Sequence, residues 1–411
     1  MTPAPRIPSC ATDDPRRHEG RLAPRGQFCA TDEGLQPGLN LCRATSVEYV
    51  METRYASRRS APALLFLALV CVPASLAVHA TETGPGGYKV EPGPWKVVSQ
   101  DLVLRDDRRL KDLEITVRYP TVDASAADRF PLVVFSHGAG GSRAAFPDLT
   151  AHWASHGYIV VLPTHSDSIE LRRRKGEDLS RLARDLNSLV RDVRPLDRQA
   201  DVVFLLDSIG TLEARVSGLR GKDGAGRVER ERIGMAGHSA GALTTQMAAG
   251  AKMRGVSPGE VFEARSVGDP RIDAAILISG QGTTNRMFTD QSWSELSKPM
   301  LVMTGSKDYA AISSETPASR REPFEKAKPG DKYLVFIEGA THSSYQGKGP
   351  ALRLDREQPS DAELKMITSV TSAATLAFLD MCLKDDKGAR AYLESEALAA
   401  FSGKKATLER K

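Results

Sequence analysis

Three residues of the types that together activate a serine hydroxyl lie far apart in this chain of 411 residues. They are Ser239, Asp308 and His342, in that order, and each follows an apolar run typical of a buried strand. A serine hydroxyl is a poor nucleophile until an imidazole accepts its proton, and the imidazole needs a carboxylate to fix its tautomer and stabilise its charge. The set therefore predicts a serine that acts as a nucleophile.

The serine lies in Gly237-His238-Ser239-Ala240-Gly241, which follows a short apolar run and precedes small residues at helical spacing. A nucleophile on a sharp turn between strand and helix needs glycine neighbours, because the two elements approach each other closely there. The pattern predicts that Ser239 occupies such a turn. The backbone N–H of Ala240, at the start of the helix, is then a candidate oxyanion donor.

A second glycine-rich turn, at residues 137–143, directly follows the apolar run of residues 131–136. Open α/β sheets bind ligands at the carboxyl ends of their strands. We therefore predict that the N–H of Ala139 is the second oxyanion donor and that Gly138 contributes to substrate binding. His165, just past the strand that ends at Pro163, is predicted to line the same pocket. A phosphate loop is excluded, because the Lys-Ser/Thr pair and the dinucleotide spacing are both missing.

Strands and helices that position these residues are expected to alternate along the chain. Two antiparallel edge strands are expected between residues 93 and 119, with a turn at Asp106-Asp107. The later strands are continuous apolar runs, as strands buried on both faces are. They are expected at residues 131–136, 158–163, 232–236, 274–279, 298–305 and 332–337. With helices at residues 147–156, 198–209 and 366–384, they predict an α/β fold whose mostly parallel central sheet is flanked by helices.

A highly charged insertion follows the strand that ends at Pro163 and covers about residues 166–195. Its apolar residues recur at steps of three and four, which predicts an amphipathic helix with an outer face rich in Arg and Asp. They are Leu179, Leu182, Leu186, Leu189 and Val193. Two alternatives stay open for this helix: it forms a lid or a lipid-facing patch, or it simply packs against the body of the domain.

The N-terminal region has the composition of segments that are removed before folding. Residues 1–50 show no hydrophobic period and are expected to be disordered or to lie upstream of a true start at Met51. Residues 51–80 combine three arginines, an apolar stretch and the small-x-small site Val78-His79-Ala80, which is typical of a signal peptide. We expect export to the periplasm or medium after cleavage near Ala80. A membrane anchor is the alternative, but Pro73 leaves the apolar stretch short of the ~20 residues of a span.

Residues 81–403 are expected to form one domain and residues 404–411 a polar tail. The chain has 56 Lys and Arg against 52 Asp and Glu without a basic stripe, which argues against a nucleic-acid partner. Only Cys382 follows the predicted cleavage site, so no intrachain disulfide is expected there. His152 and His156 are four residues apart, but no Glu or Cys accompanies them, and we predict neither a metal nor a cofactor. The oligomeric state is not indicated.

From about residue 131 to residue 393 the chain resembles α/β-hydrolases, in particular predicted dienelactone hydrolases and secreted esterases similar to platelet-activating-factor acetylhydrolase. The matching stretches are Phe135-Ser136-His137-Gly138-Ala139-Gly140-Gly141-Ser142-Arg143, Ala154-Ser155-His156-Gly157-Tyr158, Arg198 with Asp201, Gly237-His238-Ser239-Ala240-Gly241, Asp308, and Gly339-Ala340-Thr341-His342. The resemblance implies an α/β-hydrolase fold and the catalytic residues Ser239, Asp308 and His342. It also implies metal-free hydrolysis of small or lipid-like carboxylic esters through an acyl-enzyme.

The chain departs from its relatives at two places. Dienelactone hydrolases proper have a cysteine nucleophile, where this chain has Ser239. Secreted polyester hydrolases have a tryptophan where residues 279–282 read Ser-Gly-Gln-Gly, so polyester hydrolysis is not expected. A thioesterase or an amidase needs the same three residues and remains an alternative. A non-catalytic binding protein on this fold is the alternative from another class, although such proteins usually lack one of the three.

Overall fold

A nine-stranded mixed sheet runs through the centre of the computed structural model. Its strands are β1 Val97–Asp106, β2 Lys111–Pro120, β3 Phe130–Ser136, β4 Ile159–Pro163, β5 Val228–His238, β6 Ala274–Ile278, β7 Met300–Lys307, β8 Lys332–Thr341 and β9 Ala406–Arg410. Their order across the sheet is β1-β2-β4-β3-β5-β6-β7-β8-β9. Neighbours from β4 to β8 are parallel, whereas β1, β2 and β9 pair antiparallel.

The predicted fold class is confirmed: the protein is an α/β protein with a mostly parallel central sheet, consistent with an α/β-hydrolase fold. The expected antiparallel pair at the start of the domain is β1 with β2. The structure describes residues 87–123, 127–254, 256–257, 260–261, 265–309, 312–348, 355 and 357–411. All of them belong to one compact unit. The upstream region and signal peptide expected at residues 1–50 and 51–80 lie outside the described residues.

Helices cover both faces of the sheet, because alternate side chains of each strand point to opposite faces. Val133 and Phe135 pack towards the helices Pro147–Ser155 and Asp361–Leu383. Leu132 and Val134 pack towards the helices Pro195–Asp207 and Ile209–Arg215. The helices are α1 Pro147–Ser155, α2 Ile169–Arg174, α3 Ser180–Arg184, α4 Ser188–Asp192, α5 Pro195–Asp207, α6 Ile209–Arg215, α7 Ala240–Ala249, α8 Pro317–Lys326, α9 Asp361–Leu383, α10 Lys387–Leu393 and α11 Ala397–Phe401.

The longest helix, α9, begins at a capping box formed by Ser360 and Glu363. Within the described ranges it is the one helix long and apolar enough to cross a membrane. Its apolar residues, including Ile367, Val370 and Phe378, are fully buried in the core beside the sheet. The helix is therefore a core element of the domain, as expected from its sequence.

The charged insertion differs from the single amphipathic helix expected at residues 166–195. It forms three short helices, α2, α3 and α4. Gly176 adopts a φ of +77° just after α2, and the side chains of Asp178 and Asp185 accept hydrogen bonds from backbone N–H groups two residues further on. Such local side-chain bonds compete with the continuation of a helix. The leucines consequently divide between core and surface rather than lining one face.

One further expectation, about the end of the chain, was wrong. Residues 404–411 are not a peripheral tail, because β9 pairs with β8 from Tyr333 opposite Arg410 to Ile337 opposite Ala406. The edge of a sheet carries unpaired backbone N–H and C=O groups. Those of β8 form hydrogen bonds with β9, although the sequence of β9 is polar. The connection at residues 210–231 contains most of α6 and the start of β5. Burial of Leu212 and Leu219 against the sheet stabilises it there.

Candidate active site

Ser239 occupies a sharp turn between β5 and α7, with φ +54° and ψ −119°. This backbone conformation is strained for a residue with a side chain. The flanking positions must be glycine, because a larger residue would clash with the neighbouring backbone. A Cβ on Gly237 would lie 2.3 Å from the carbonyl oxygen of Gly241, and one on Gly241 would lie 1.8 Å from that of Ser136. The strand and the helix therefore approach each other closely, as the glycine pattern predicted.

The three separated residues predicted to react meet at the carboxyl edge of the sheet. Asp308 directly follows β7 and His342 directly follows β8. His342 Nε2 lies 3.0 Å from Ser239 Oγ, and His342 Nδ1 lies 3.0 Å from Asp308 Oδ1. Asp308 is fully buried and His342 almost so, while Ser239 is partly exposed. In this geometry the proton of Ser239 can pass to Nε2 of His342, while the carboxylate of Asp308 holds the other ring nitrogen.

The Asp308 carboxylate is surrounded by donors. Arg320 Nε lies 3.0 Å from its Oδ1, and Thr304 Oγ1 donates to its Oδ2 at 3.0 Å. Burial alone would raise the pKa of Asp308, but the charge of Arg320 and the hydrogen bonds from His342 and Ser279 outweigh burial. They hold that pKa well below its usual range, so Asp308 is ionised at neutral pH.

Two of these neighbours, Ser279 and Arg320, were missed by sequence reasoning. Ser279 directly follows β6, and its Oγ touches both Asp308 and His342. Its position could have indicated this role, because it follows a strand that lies between β5 and β7. Arg320 lies on α8, and its Nη1 donates to the carbonyl oxygens of Ser279 and Gly280 at 2.7 Å each. No local sequence pattern marks that arginine.

His238, the residue before the nucleophile, supports the base through the backbone. Its Nε2 donates to the carbonyl oxygen of His342 at 2.7 Å. Burial, followed by the neighbouring His342, lowers the pKa of His238 to about 3. His238 is therefore neutral at physiological pH, and it fixes the segment that carries His342 without adding a charge.

Ala139 and Ala240 both border the cavity next to Ser239. Ala240 is the first residue of α7, and the first N–H groups of a helix have no partner within it. The N–H of Ala139 donates no hydrogen bond among the residues that the structure describes. Both predicted oxyanion donors are thus available beside the nucleophile.

A buried ion pair holds the loop on both sides of Ala139. Arg198 donates to Asp167 with two nitrogens, at 2.8 Å and 2.7 Å. The same guanidinium donates to the carbonyl oxygen of Gly138 at 3.2 Å, and Asp167 Oδ2 accepts from the N–H of Gly140 at 3.0 Å. Only the family resemblance pointed to Arg198, and the structure shows that it binds Asp167 and the loop.

A second series of serine, histidine and aspartate lies behind this loop. Ser136 Oγ is 2.9 Å from His165 Nε2, and His165 Nδ1 is 2.8 Å from Asp201 Oδ2. All three residues are fully buried, so this serine cannot meet a substrate. The prediction that His165 lines the pocket is wrong: its ring lies beneath the loop, because Asp201 and Ser136 satisfy both ring nitrogens there.

Two cavities, each of about 480 Å³, meet at Ser239. The first, here called the His342 cavity, is bordered by Gly138, Phe146, Ile169, His238, Ser239 and His342. The second, here called the Leu243 cavity, is bordered by Ser239, Ala240, Val193, Leu243, Met287 and Ile312. Gly138 therefore lies where a substrate-binding residue was predicted.

The charged insertion contributes to the walls of both cavities. Ile169 and Arg173, on α2, border the His342 cavity, whereas Val190 and Val193 border the Leu243 cavity. Leu182 and Leu189 are buried in a small cluster with Ile312. Leu186, in contrast, is 47% exposed. The insertion is thus attached to the site by its buried leucines and exposes others at its outer surface.

In the described part of the chain, no group of three or more His, Cys, Asp and Glu side chains is placed to hold a metal ion. His152 and His156 lie on α1 and just after it, with ring centroids 4.6 Å apart. His156 Nε2 instead contacts the carbonyl oxygen of Glu91.

The family model described as platelet-activating factor acetylhydrolase, isoform II, matches residues 114–173. The matched segment contains β3, the loop that carries Ala139 and the start of the insertion, but neither Ser239, Asp308 nor His342. No curated protein sequence matches the chain. The family match and the mostly parallel sheet fit the α/β-hydrolase superfamily. They support a hydrolase of the serine esterase or lipase type that acts on esters, with lipid-like substrates typical of that family.

Proposed function

We propose that this protein hydrolyses carboxylic esters through an acyl-enzyme formed on Ser239. The observation that carries the proposal is the continuous series Ser239, His342, Asp308, joined by two contacts of 3.0 Å at the edge of a cavity. His342 Nε2 removes the hydroxyl proton as Ser239 Oγ attacks the ester carbonyl carbon. Asp308 stabilises the imidazolium that results.

The developing oxyanion is stabilised by the N–H groups of Ala139 and Ala240, which cost no reorganisation because the fold already holds them beside Ser239. His342 then donates its proton to the leaving alcohol, and the carbonyl–oxygen bond breaks. A water molecule, deprotonated by His342, attacks the acyl-enzyme; the bond to Ser239 Oγ then breaks, His342 returns the proton to Oγ, and the acid is released. Each step uses the same proton carrier and the same two donors.

We propose that the two cavities hold the two halves of the substrate. The leaving alcohol must lie beside His342, since that residue protonates it, and the His342 cavity is therefore the leaving-group side. The acyl chain then extends into the Leu243 cavity, whose walls include Val193, Leu243 and Met287. These three apolar side chains favour an apolar acyl chain beside them, in agreement with a lipid-like ester.

We further propose that the protein is exported, with cleavage near Ala80, and degrades lipid esters outside the cytoplasm. The proposal is supported by the charge and apolar pattern of residues 51–80. The exposed apolar residues of the insertion would contact a lipid surface transiently. Sequencing of the N-terminus of protein from periplasm or medium should give a start near Thr81, and residues from before Met51 would contradict export by this route.

Hydrolysis of aryl esters graded by acyl length tests the central proposal. Ser239→Ala should lower turnover on the order of 10⁶-fold and abolish labelling by a fluorophosphonate, because no other hydroxyl replaces the nucleophile. Circular dichroism should show that the variant is folded, and a chelator should leave wild-type activity unchanged. Persistent hydrolysis by folded Ser239→Ala would overturn the proposal. Matched thioester and amide substrates decide between the open alternatives for the leaving group.

A further inference from the structure

Ser279 is a fully buried serine that contacts both the acid and the base of the proposed reaction. Its Oγ lies 2.7 Å from His342 Nδ1 and 2.5 Å and 2.6 Å from the two carboxylate oxygens of Asp308. The direct distance between Asp308 Oδ1 and His342 Nδ1 is 3.0 Å. The hydroxyl is thus closer to the imidazole nitrogen than the carboxylate is.

A single placement of hydrogen atoms satisfies these contacts. An ionised carboxylate only accepts hydrogen bonds, so the one hydroxyl hydrogen of Ser279 is donated to Asp308. The lone pairs of Oγ then face His342 Nδ1, which must carry a hydrogen to donate. His342 Nε2 is left unprotonated and faces Ser239 Oγ at 3.0 Å. A general base that attacks the serine proton needs this tautomer.

We infer that Ser279 is a positioning residue: its hydroxyl accepts the Nδ1 hydrogen of His342, donates to Asp308, and holds the imidazole in the tautomer that can deprotonate Ser239. This inference rests on the proposed function. As the O–H bond of Ser239 breaks, its proton passes to Nε2, and the imidazolium donates from Nδ1 to both Asp308 and Ser279. No bond to Ser279 forms or breaks in the reaction.

The backbone of Ser279 is constrained on both sides. Its N–H donates to the carbonyl oxygen of Met303 at 2.8 Å, and its own carbonyl oxygen accepts from Arg320 at 2.7 Å. Its φ is +55°, a conformation that glycine adopts without strain and other residues rarely adopt. A strained serine therefore stands where glycine would fit, and what it adds over glycine is the hydroxyl between acid and base.

Thr304 provides a matched control for the test. Its Oγ1 also donates to Asp308, at 3.0 Å, and among the described residues it makes no hydrogen bond to His342. Ser279→Ala removes a donor to Asp308 and an acceptor for His342, whereas Thr304→Val removes only a donor to Asp308. We expect kcat for an aryl ester to fall on the order of 10-fold or more in Ser279→Ala, with KM unchanged and a clearly smaller loss in Thr304→Val.

Ser279→Gly keeps the test valid if the alanine variant folds poorly, because glycine relieves the backbone strain and also lacks the hydroxyl. Both Ser279 variants should show the same loss in kcat. In protein with isotope-labelled histidine, the proton resonance of His342 Nδ1 should move in both Ser279 variants and stay in place in Thr304→Val. A merely structural role would lower the melting temperature without moving that resonance.

The two proposals fail in different ways. Ser279 has no positioning role if both its variants retain the wild-type kcat and the wild-type Nδ1 resonance, or lose no more kcat than Thr304→Val, while hydrolysis still depends on Ser239. The proposed function itself fails if the wild-type protein hydrolyses no ester, or if folded Ser239→Ala is equally active.

Discussion

Arg198 and Asp167 form an ion pair with two hydrogen bonds in which neither side chain reaches solvent, with Nε 2.8 Å from Oδ1 and Nη2 2.7 Å from Oδ2. Burial alone would raise the pKa of Asp167, but the charge of Arg198 and its hydrogen bonds hold that pKa well below its usual range. The pair also bonds the peptide groups on both sides of Ala139. The direction of one proposed oxyanion donor thus depends on two residues that cannot touch a substrate.

Arg198→Lys should lower kcat on the order of 10²-fold, comparable to the loss of one oxyanion donor. Lysine keeps the charge that Asp167 needs but lacks the planar fork that also reaches the loop. The matched control is Arg230→Lys, because Arg230 pairs with Glu213 at a half-exposed site away from the cavities. Steady-state kinetics on an aryl ester would measure both variants. Wild-type kcat in Arg198→Lys would show that the loop holds its shape without the guanidinium.

Asp308→Asn should lower turnover about 10⁴-fold, since it removes the support of the tautomer and of the charge but leaves nucleophile and base in place. Asp290, which pairs with Lys326 at the surface, provides a control, and Asp290→Asn should be fully active. Ester hydrolysis with circular dichroism on both variants is the measurement. If folded Asp308→Asn retained wild-type turnover, another carboxylate would have to serve as the acid.

Protonation of Asp201 should make the protein less stable in strong acid. Burial raises its pKa, but the hydrogen bond from His165 and the charges of His165 and Lys111 outweigh burial and lower the pKa from 3.8 to about 2. A carboxyl group with a lowered pKa in the folded state stabilises fully above its unfolded value and loses that contribution as pH falls through the folded value.

The free energy of unfolding should therefore drop by about 2 kcal/mol between pH ~4 and pH ~2 through this group. Denaturant titrations of the wild-type protein across that range would measure the drop. Asp201→Asn should be less stable at neutral pH, because it removes the charge of a buried carboxylate that pairs with both Arg109 and Lys111. Its stability should also depend less on pH in this range, and an unchanged pH dependence would contradict the assignment.

Leu186→Ser and Leu196→Ser should reduce turnover of aggregated lipid esters while sparing soluble short-chain esters. Leu186 is 47% exposed in the insertion and Leu196 is 62% exposed just after it, so polar substitutions remove apolar surface without opening the core. Leu110→Ser is the control, because Leu110 is 76% exposed in the turn between β1 and β2.

A loss on soluble and aggregated esters alike, with a lower melting temperature, would instead favour simple packing of the insertion against the domain. Leu182→Ser should show that result, since Leu182 is buried with Leu189 and Ile312. The pair of outcomes decides whether the exposed or the buried leucines of the insertion determine its function.

The strands, the turn at Ser239 and the order of the three reacting residues could be predicted because their signals are local. Continuous apolar runs identify strands buried on both faces, and Gly237 and Gly241 are required within a few residues of the serine they flank. Parallel strands place their carboxyl ends at one edge, which brings Asp308 and His342 near Ser239. The parallel strands of the sheet and the core of the site therefore followed from the sequence.

Burial and contacts between distant segments were decided by the tertiary structure alone. Ser136, His165 and Asp201 are the same residue types as Ser239, His342 and Asp308 and meet at similar distances, yet only the second set has a nucleophile at a cavity. Ser279 touches residues 29 and 63 positions away, and β9 forms because an edge of β8 is unpaired. Such relationships depend on which surfaces the assembled sheet brings together, and no stretch of sequence encodes them by itself.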